Sequence, residues 1–288
     1  MIFERRYLFQ GHAVGAAVRI RRYRDNAVEM PVCFEGSAAL PVTGGCVESK
    51  SGRRDLQHEQ HGFVLSFDSA YGKATGDFAD QRAAIAHTYA VRGEHRIPTR
   101  IATEARVEGL DVQHRLLVER LECELVSEDP RNHGEVRFSA PKMPQIIGVK
   151  VDGHPLTVEI DDVFLNAATK RALADEFEDS ERFRETYKDR FYHTGKDDTV
   201  LGTRRIPEIA GYFVTSIVRR LSFGNGMPLG ATIEGNRLTL PNFGKIFFGE
   251  LLIGDKDRRL TMLRLQLGSD WGGDGGLCES KPNGHDAP

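Results

Sequence analysis

The stretch from Thr99 to Ser127, TRIATEARVEGLDVQHRLLVERLECELVS, constrains the fold more than any other. In its first half Ile101, Thr103, Ala105 and Val107 occupy one parity, and Arg100, Glu104, Arg106 and Glu108 the other. Successive side chains on a strand point to opposite faces, so this pattern describes a half-buried strand. Leu117, Leu121 and Leu125 in the second half are also spaced for a helix face, and Leu, Glu and Arg are good helix formers. Read as a strand, Leu116 and Val118 share one parity, while Leu121, Cys123 and Leu125 share the other. One extra residue near Glu119, a β-bulge, would produce that change of phase.

A second copy favours the strand reading. Arg115 to Glu122 (RLLVERLE) lines up with Arg259 to Gln266 (RLTMLRLQ), which follows IFFGELLIGDKD, an apolar run ending in a Gly-Asp turn. That combination describes a hairpin. A fainter echo is Val218 to Leu221, and all three segments are expected to be strands. The separations are unequal, which excludes a regular solenoid or propeller period. The best internal match pairs Gly148–Val158 with Gly230–Leu240. Each has the acid-Gly pair of a tight turn between apolar runs, so related hairpins are expected in the two halves of the chain.

One segment is helical in pattern. Asn166 can cap a helix whose body is AATKRALADEF, with Leu173 and Phe177 four apart. Asp179 or Ser180 can cap a second, placing Phe183, Tyr187 and Phe191 on one face, and such an aromatic stripe is read as core.

The remaining segments fit this frame. Residues 3–22 read as one or two strands, with Val14, Ala16, Val18 and Ile20 against Arg19 and Arg21. Arg19, Arg21, Arg22 and Arg24 are read as a solvated strand face. Met30 to Phe34 is a short strand, Gly62 to Phe67 another, and Gln81 to Val91 leans to strand. Ile209 to Phe223 returns to strand, and a final hairpin runs from Leu238 to Leu267. Residues 35–61 read as a long irregular connection. Within it, Leu40-Pro41-Val42-Thr43-Gly44 carries the letters of a sortase signal but lacks the hydrophobic span and basic tail that follow one, so Pro41 and Gly44 are read as loop punctuation.

With 288 residues the chain can bury a real core. A net charge of −3 gives no electrostatic case for nucleic acid or an anionic membrane. The N-terminus lacks the apolar centre of a signal peptide, and no run is long and apolar enough to span a bilayer. A cytoplasmic location is therefore the default expectation, with signal-independent export or a removed signal as alternatives. The four cysteines, Cys33, Cys46, Cys123 and Cys278, form no Cys-x-x-Cys pair. Cys123 reads as a small core residue, and Cys33 with Cys46 as a pair able to close a loop only in an oxidising compartment.

No catalytic, cofactor-binding or metal-ligating residue is assigned. His58-Glu59-Gln60-His61 lacks the spacing of a zinc motif and a third ligand. Tyr71 to Gly76 lacks the first glycine of a phosphate loop, and Ala74 stands where its Ser or Thr belongs. Ser139-x-x-Lys142 has the letters of a nucleophile–base pair but sits in an extended segment. Asp161, Asp162, Asp197 and Asp198 supply carboxylates with no defined separation. The tail GSDWGGDGGLCESKPNGHDAP is too rich in Gly to hold a structure alone, and Asp270 and Asp274 lack the repeat of a calcium site.

The expected fold is mainly β, an antiparallel β-sandwich-like architecture with an inserted pair of short α-helices. Residues 1–162 form a strand-rich first half, 163–194 a helical insertion, 195–268 a second half packed on the first, and 269–288 the Gly-rich tail. The expected function is a non-enzymatic structural or interaction protein, self-assembling or surface-associated, whose partner is itself or another protein and not nucleic acid. The alternatives are a carbohydrate-active or other hydrolase with a loop-borne site, and a glycan-binding module using Trp271 or Tyr212 as a stacking surface.

Overall fold

The computed structural model describes residues 7–22, 32–58, 62–78, 98–129, 136–166, 169–191, 205–206, 208–268 and 271–286. The strands of the first half are β1 (Tyr7–Arg22), β2 (Val32–Ala39), β3 (Gly45–Ser51), β4 (Arg54–His58), β5 (Gly62–Phe67), β6 (Ser69–Phe78), β7 (Thr99–Val112), β8 (Leu116–Asp129), β9 (Arg137–Ser139), β10 (Gln145–Ile147), β11 (Lys150–Val151) and β12 (His154–Ile160). Two helices follow, α1 (Lys170–Asp179) and α2 (Glu181–Tyr187). Then come β13 (Phe213–Ser216), β14 (Val218–Phe223), β15 (Thr232–Glu234), β16 (Arg237–Leu240), β17 (Gly244–Ile253), β18 (Arg258–Leu267) and β19 (Trp271–Asp286).

These strands make two antiparallel sheets. The eight-stranded sheet has the order β15-β16-β17-β18-β19-β1-β2, with β13 also paired to β17. The eleven-stranded sheet runs β14-β12-β11-β8-β7-β5-β4, with β9 and β10 on β8, and β6 joining β3 to β7. The mainly β, sandwich-like fold with two short helices is thus the one the alternation implies. Sheet membership cuts across the division at 162 and 195, because β1 and β2 lie in the sheet built by the end of the chain.

Between the sheets, Ala13, Ala16, Ala105, Leu121, Cys123, Leu125, Leu260 and Leu263 are 0–1% exposed. A smaller cluster of Phe9, Ala38, Leu40, Ala74 and Ile101 closes one end, with Phe78 edge-on to Phe9. Where β1 and β2 cross β6 the backbones themselves meet. A Cβ on Gly72 would lie 2.1 Å from the Gly36 carbonyl oxygen and 2.9 Å from that of Ala13, so no side chain fits there.

Along one row the alternation slips on every strand from β2 to β17. The pairing omits Gly36, Gly15, Cys278, Met262 and Gly249, which lie opposite one another. On alternate strands the omitted residue has positive φ: Gly36 (60°), Cys278 (56°) and Gly249 (58°). The slip brings Phe247 and Glu250, three residues apart, within reach of one side chain. Arg264 lies over the Phe247 ring at 3.7 Å and binds both Glu250 oxygens. The same device occurs in the other sheet, where Gly109 (φ 63°) and Glu119 are omitted together. The change of phase expected near Glu119 is therefore present. It comes from a matched slip on both strands, not from an extra residue on one.

Other expectations are corrected. The connection expected over residues 35–61 holds most of β2, all of β3 and β4, and a tight turn at Pro41–Gly44, closed by the Gly44 amide donating to the Pro41 carbonyl at 2.8 Å. Residues 271–286 of the Gly-rich tail form strand β19, paired on both sides, fifteen residues to β1 and seven to β18. Its glycines suit it to that place, because the strand lies between neighbours that supply the apolar bulk. Both matched hairpins exist, in different sheets. Asp152-Gly153 turns the first and Gly235-Asn236 the second, one place out of alignment. The strand expected over Gln81–Val91 lies outside the described residues, as do Arg24, Asp197 and Asp198.

The helices pack as the aromatic stripe implies. Thr169, not Asn166, caps α1, its hydroxyl accepting from the Ala172 amide, because the Asn166 side chain accepts from the Ala140 amide instead. Ser180 caps α2. Leu173 and Phe177 are buried, and Phe183, Tyr187 and Phe191 surround Phe164 at centroid distances of 5.2–6.4 Å. No helix among the described residues is long and apolar enough to cross a membrane.

Candidate functional site

Two of the charged clusters among the described residues tie several elements together. The first is the outer face of β19, where Glu279 and Lys281 alternate with the inward Cys278 and Ser280. The His12 Nε2 of β1 lies 3.1 Å from one Glu279 oxygen, Thr261 donates to the other at 3.2 Å, and Arg259 stands 4.0 Å away. Burial pushes the Glu279 carboxyl up. The His12 hydrogen bond and the Arg259 charge outweigh it and hold the group below its ordinary value. Beside it Lys281 pairs with Asp257 at 3.2 Å, and the Tyr212 hydroxyl donates to the same oxygen at 3.1 Å. Acyl transfer needs a nucleophile on the free nitrogen of a His–carboxylate pair. Here the Thr261 hydroxyl is given to the carboxylate, so the arrangement holds charge across three strands and aims no reactive oxygen.

The second place joins the helices to the sheets. Arg190 grips Asp161 through two nitrogens, donates to the Ser216 carbonyl and lies 4.7 Å over Phe164. Arg258, 1% exposed, donates to the carbonyls of Phe164 and Leu165, and burial brings its guanidinium down to about 10. Both arginines act as cross-links, matching planar donors to carbonyl and carboxylate oxygens.

The sequence candidates fall elsewhere. Ser139 ends β9, and Lys142 is exposed and reaches Glu124, so the two do not share a helix. Tyr71 and Lys73 lie inside β6, paired on both sides, and form no phosphate loop. His58 ends β4, and Glu59 to His61 lie outside the described residues. Cys33 and Cys46 are unbonded; Cys33 is buried, and that burial raises its thiol to about 11. Trp271 opens β19 opposite Arg22. No group of three or more metal-ligating side chains occurs among the described residues. The proximity of Cys123 and Cys278 left no mark in sequence spacing, since 155 positions separate them.

Among the described residues, the edge at β2 carries an exposed aromatic side chain. β2 is the end strand of the eight-stranded sheet, and its Phe34 is 59% exposed. Phe34 stands in a cross-strand row with Ala17, Gly276, Arg264 and Phe247. Small residues thus lie between it and the arginine-covered ring of Phe247. Glu35 turns to Arg54 of β4, 3.0 Å away, tying this edge to the opposite sheet.

Residues 7–254 match the family model described as a domain of unknown function, DUF8256. The chain belongs to that family. The DUF8256 match spans β1 to β17, which includes the β2 edge and His12 but neither β18 nor β19. No curated protein and no solved structure matches the chain.

Proposed function

We propose that this DUF8256 chain is a non-enzymatic interaction module that associates with a second copy of itself through the β2 edge. The observation that carries this reading is Phe34, an aromatic ring 59% exposed on the end strand of a sheet. An end strand offers backbone donors and acceptors to another strand, and an exposed ring beside it supplies apolar area. Two such edges related by a twofold axis would continue one sheet into the next. The pairing of charges on β19 and around Arg190 supports a scaffold over a reactive centre.

Size-exclusion chromatography with light scattering across a hundredfold range of concentration tests it. The expected result is a dimer or larger assembly that Phe34→Glu shifts to monomer. A monomer at every concentration overturns the reading.

A further inference from the structure

We infer that Cys123 and Cys278 are a disulfide site, oxidised as the chain folds, that joins the two sheets through the middle of the sandwich. Cys123 lies on β8 of one sheet and Cys278 on β19 of the other. Their sulfurs are 3.6 Å apart, and both side chains are 0–1% exposed. The surrounding bonds orient both thiols. Cys278 donates to the Ala105 carbonyl at 3.1 Å, and Cys123 to the Cys278 carbonyl at 3.4 Å.

The backbone supplies an independent argument. Cys278 occupies the slipped row in which the other positive-φ positions are Gly36 and Gly249. Glycine adopts that conformation freely, whereas a side chain is disfavoured in it. A position that merely had to be small would be filled best by a third glycine. The thiol stands there at the cost of strain and is directed at another thiol.

The co-reactant is a low-molecular-weight disulfide such as oxidised glutathione. One cysteine thiolate attacks it and forms a mixed disulfide, releasing the first glutathione. The second cysteine attacks the protein sulfur of that bond and releases the other. The protein loses two protons and two electrons, and one disulfide becomes two thiols. This exchange belongs to the open chain. Once the sheets close, burial holds the Cys278 thiol well above its ordinary value and solvent no longer reaches the pair.

The test is refolding of the reduced full chain from urea in a glutathione redox buffer, followed by denaturation, alkylation with iodoacetamide and intact mass. Two adducts are expected, on Cys33 and Cys46, with a proteolytic peptide pair joining Cys123 to Cys278 that reduction separates. The oxidised form is expected to melt roughly 10 °C above the reduced form, because the bond closes a long loop. Cys33→Ser/Cys46→Ser protein should keep the cross-link and take no adduct. Four adducts, a bond involving Cys33 or Cys46, or glutathione left on Cys123 or Cys278 would overturn the assignment. Should refolding fail, the same count on protein exported unreduced to a bacterial periplasm decides it, with the same outcomes for and against.

Discussion

Thr103 and Ser280, 177 positions apart, share a 2.7 Å hydrogen bond in the centre of the sandwich, where both side chains are 0% exposed. The Ser280 hydroxyl donates to the Thr103 carbonyl at 2.8 Å, which leaves the Thr103 hydroxyl to donate back to Ser280. Ser280→Ala strips a buried donor of its acceptor and is expected to cost about 1–3 kcal/mol in urea unfolding. Thr103→Val with Ser280→Ala should cost less than the sum of the two single changes, because the double variant leaves no orphaned hydroxyl.

Removing residues 269–288 takes out a strand paired on both sides, not a tail. The shortened chain is expected to lose its cooperative thermal transition by circular dichroism, since β1 and β18 would each face a gap in the sheet. A melting curve unchanged by the deletion would refute the placement of β19.

Gly72→Val forces a side chain against the Gly36 carbonyl and is expected to cost about 2–3 kcal/mol or prevent folding. Gly52→Ala is the control. A Cβ there meets nothing within 4 Å, so stability should stay within about 0.5 kcal/mol.

Acid should weaken the outer face of β19. The Glu279 carboxyl is held below its ordinary 4.5, so its ionised form favours the folded state. That contribution is fully present above the unfolded value and is lost as pH falls through the lower folded value. The stability advantage of the native protein over Glu279→Gln should hold at pH 5 and shrink as pH falls below 4.5, read from urea midpoints.

The fold was legible where a strand supplies its own apolar face. Ile101 to Val107 and Leu121 to Leu125 alternate, and all of Ile101, Thr103, Ala105, Val107, Leu121, Cys123 and Leu125 are buried. β19 was illegible because the residues that bury it belong to β1, β7, β8 and β18; its own sixteen residues include five glycines and only one aliphatic side chain, Leu277. The cap of α1 was misplaced for a similar reason. Local spacing cannot show that the Asn166 side chain is engaged by Ala140, 26 positions earlier. The β2 edge was unreadable too, since only the pairing order makes Phe34 terminal.

The adjacency of β1 and β19 has a consequence for synthesis. About 250 residues separate the end of one from the start of the other. At ribosomal rates β1 therefore waits roughly 12–50 s for its neighbour. Throughout that interval the edge of β1 that faces away from β2 has no strand to pair with.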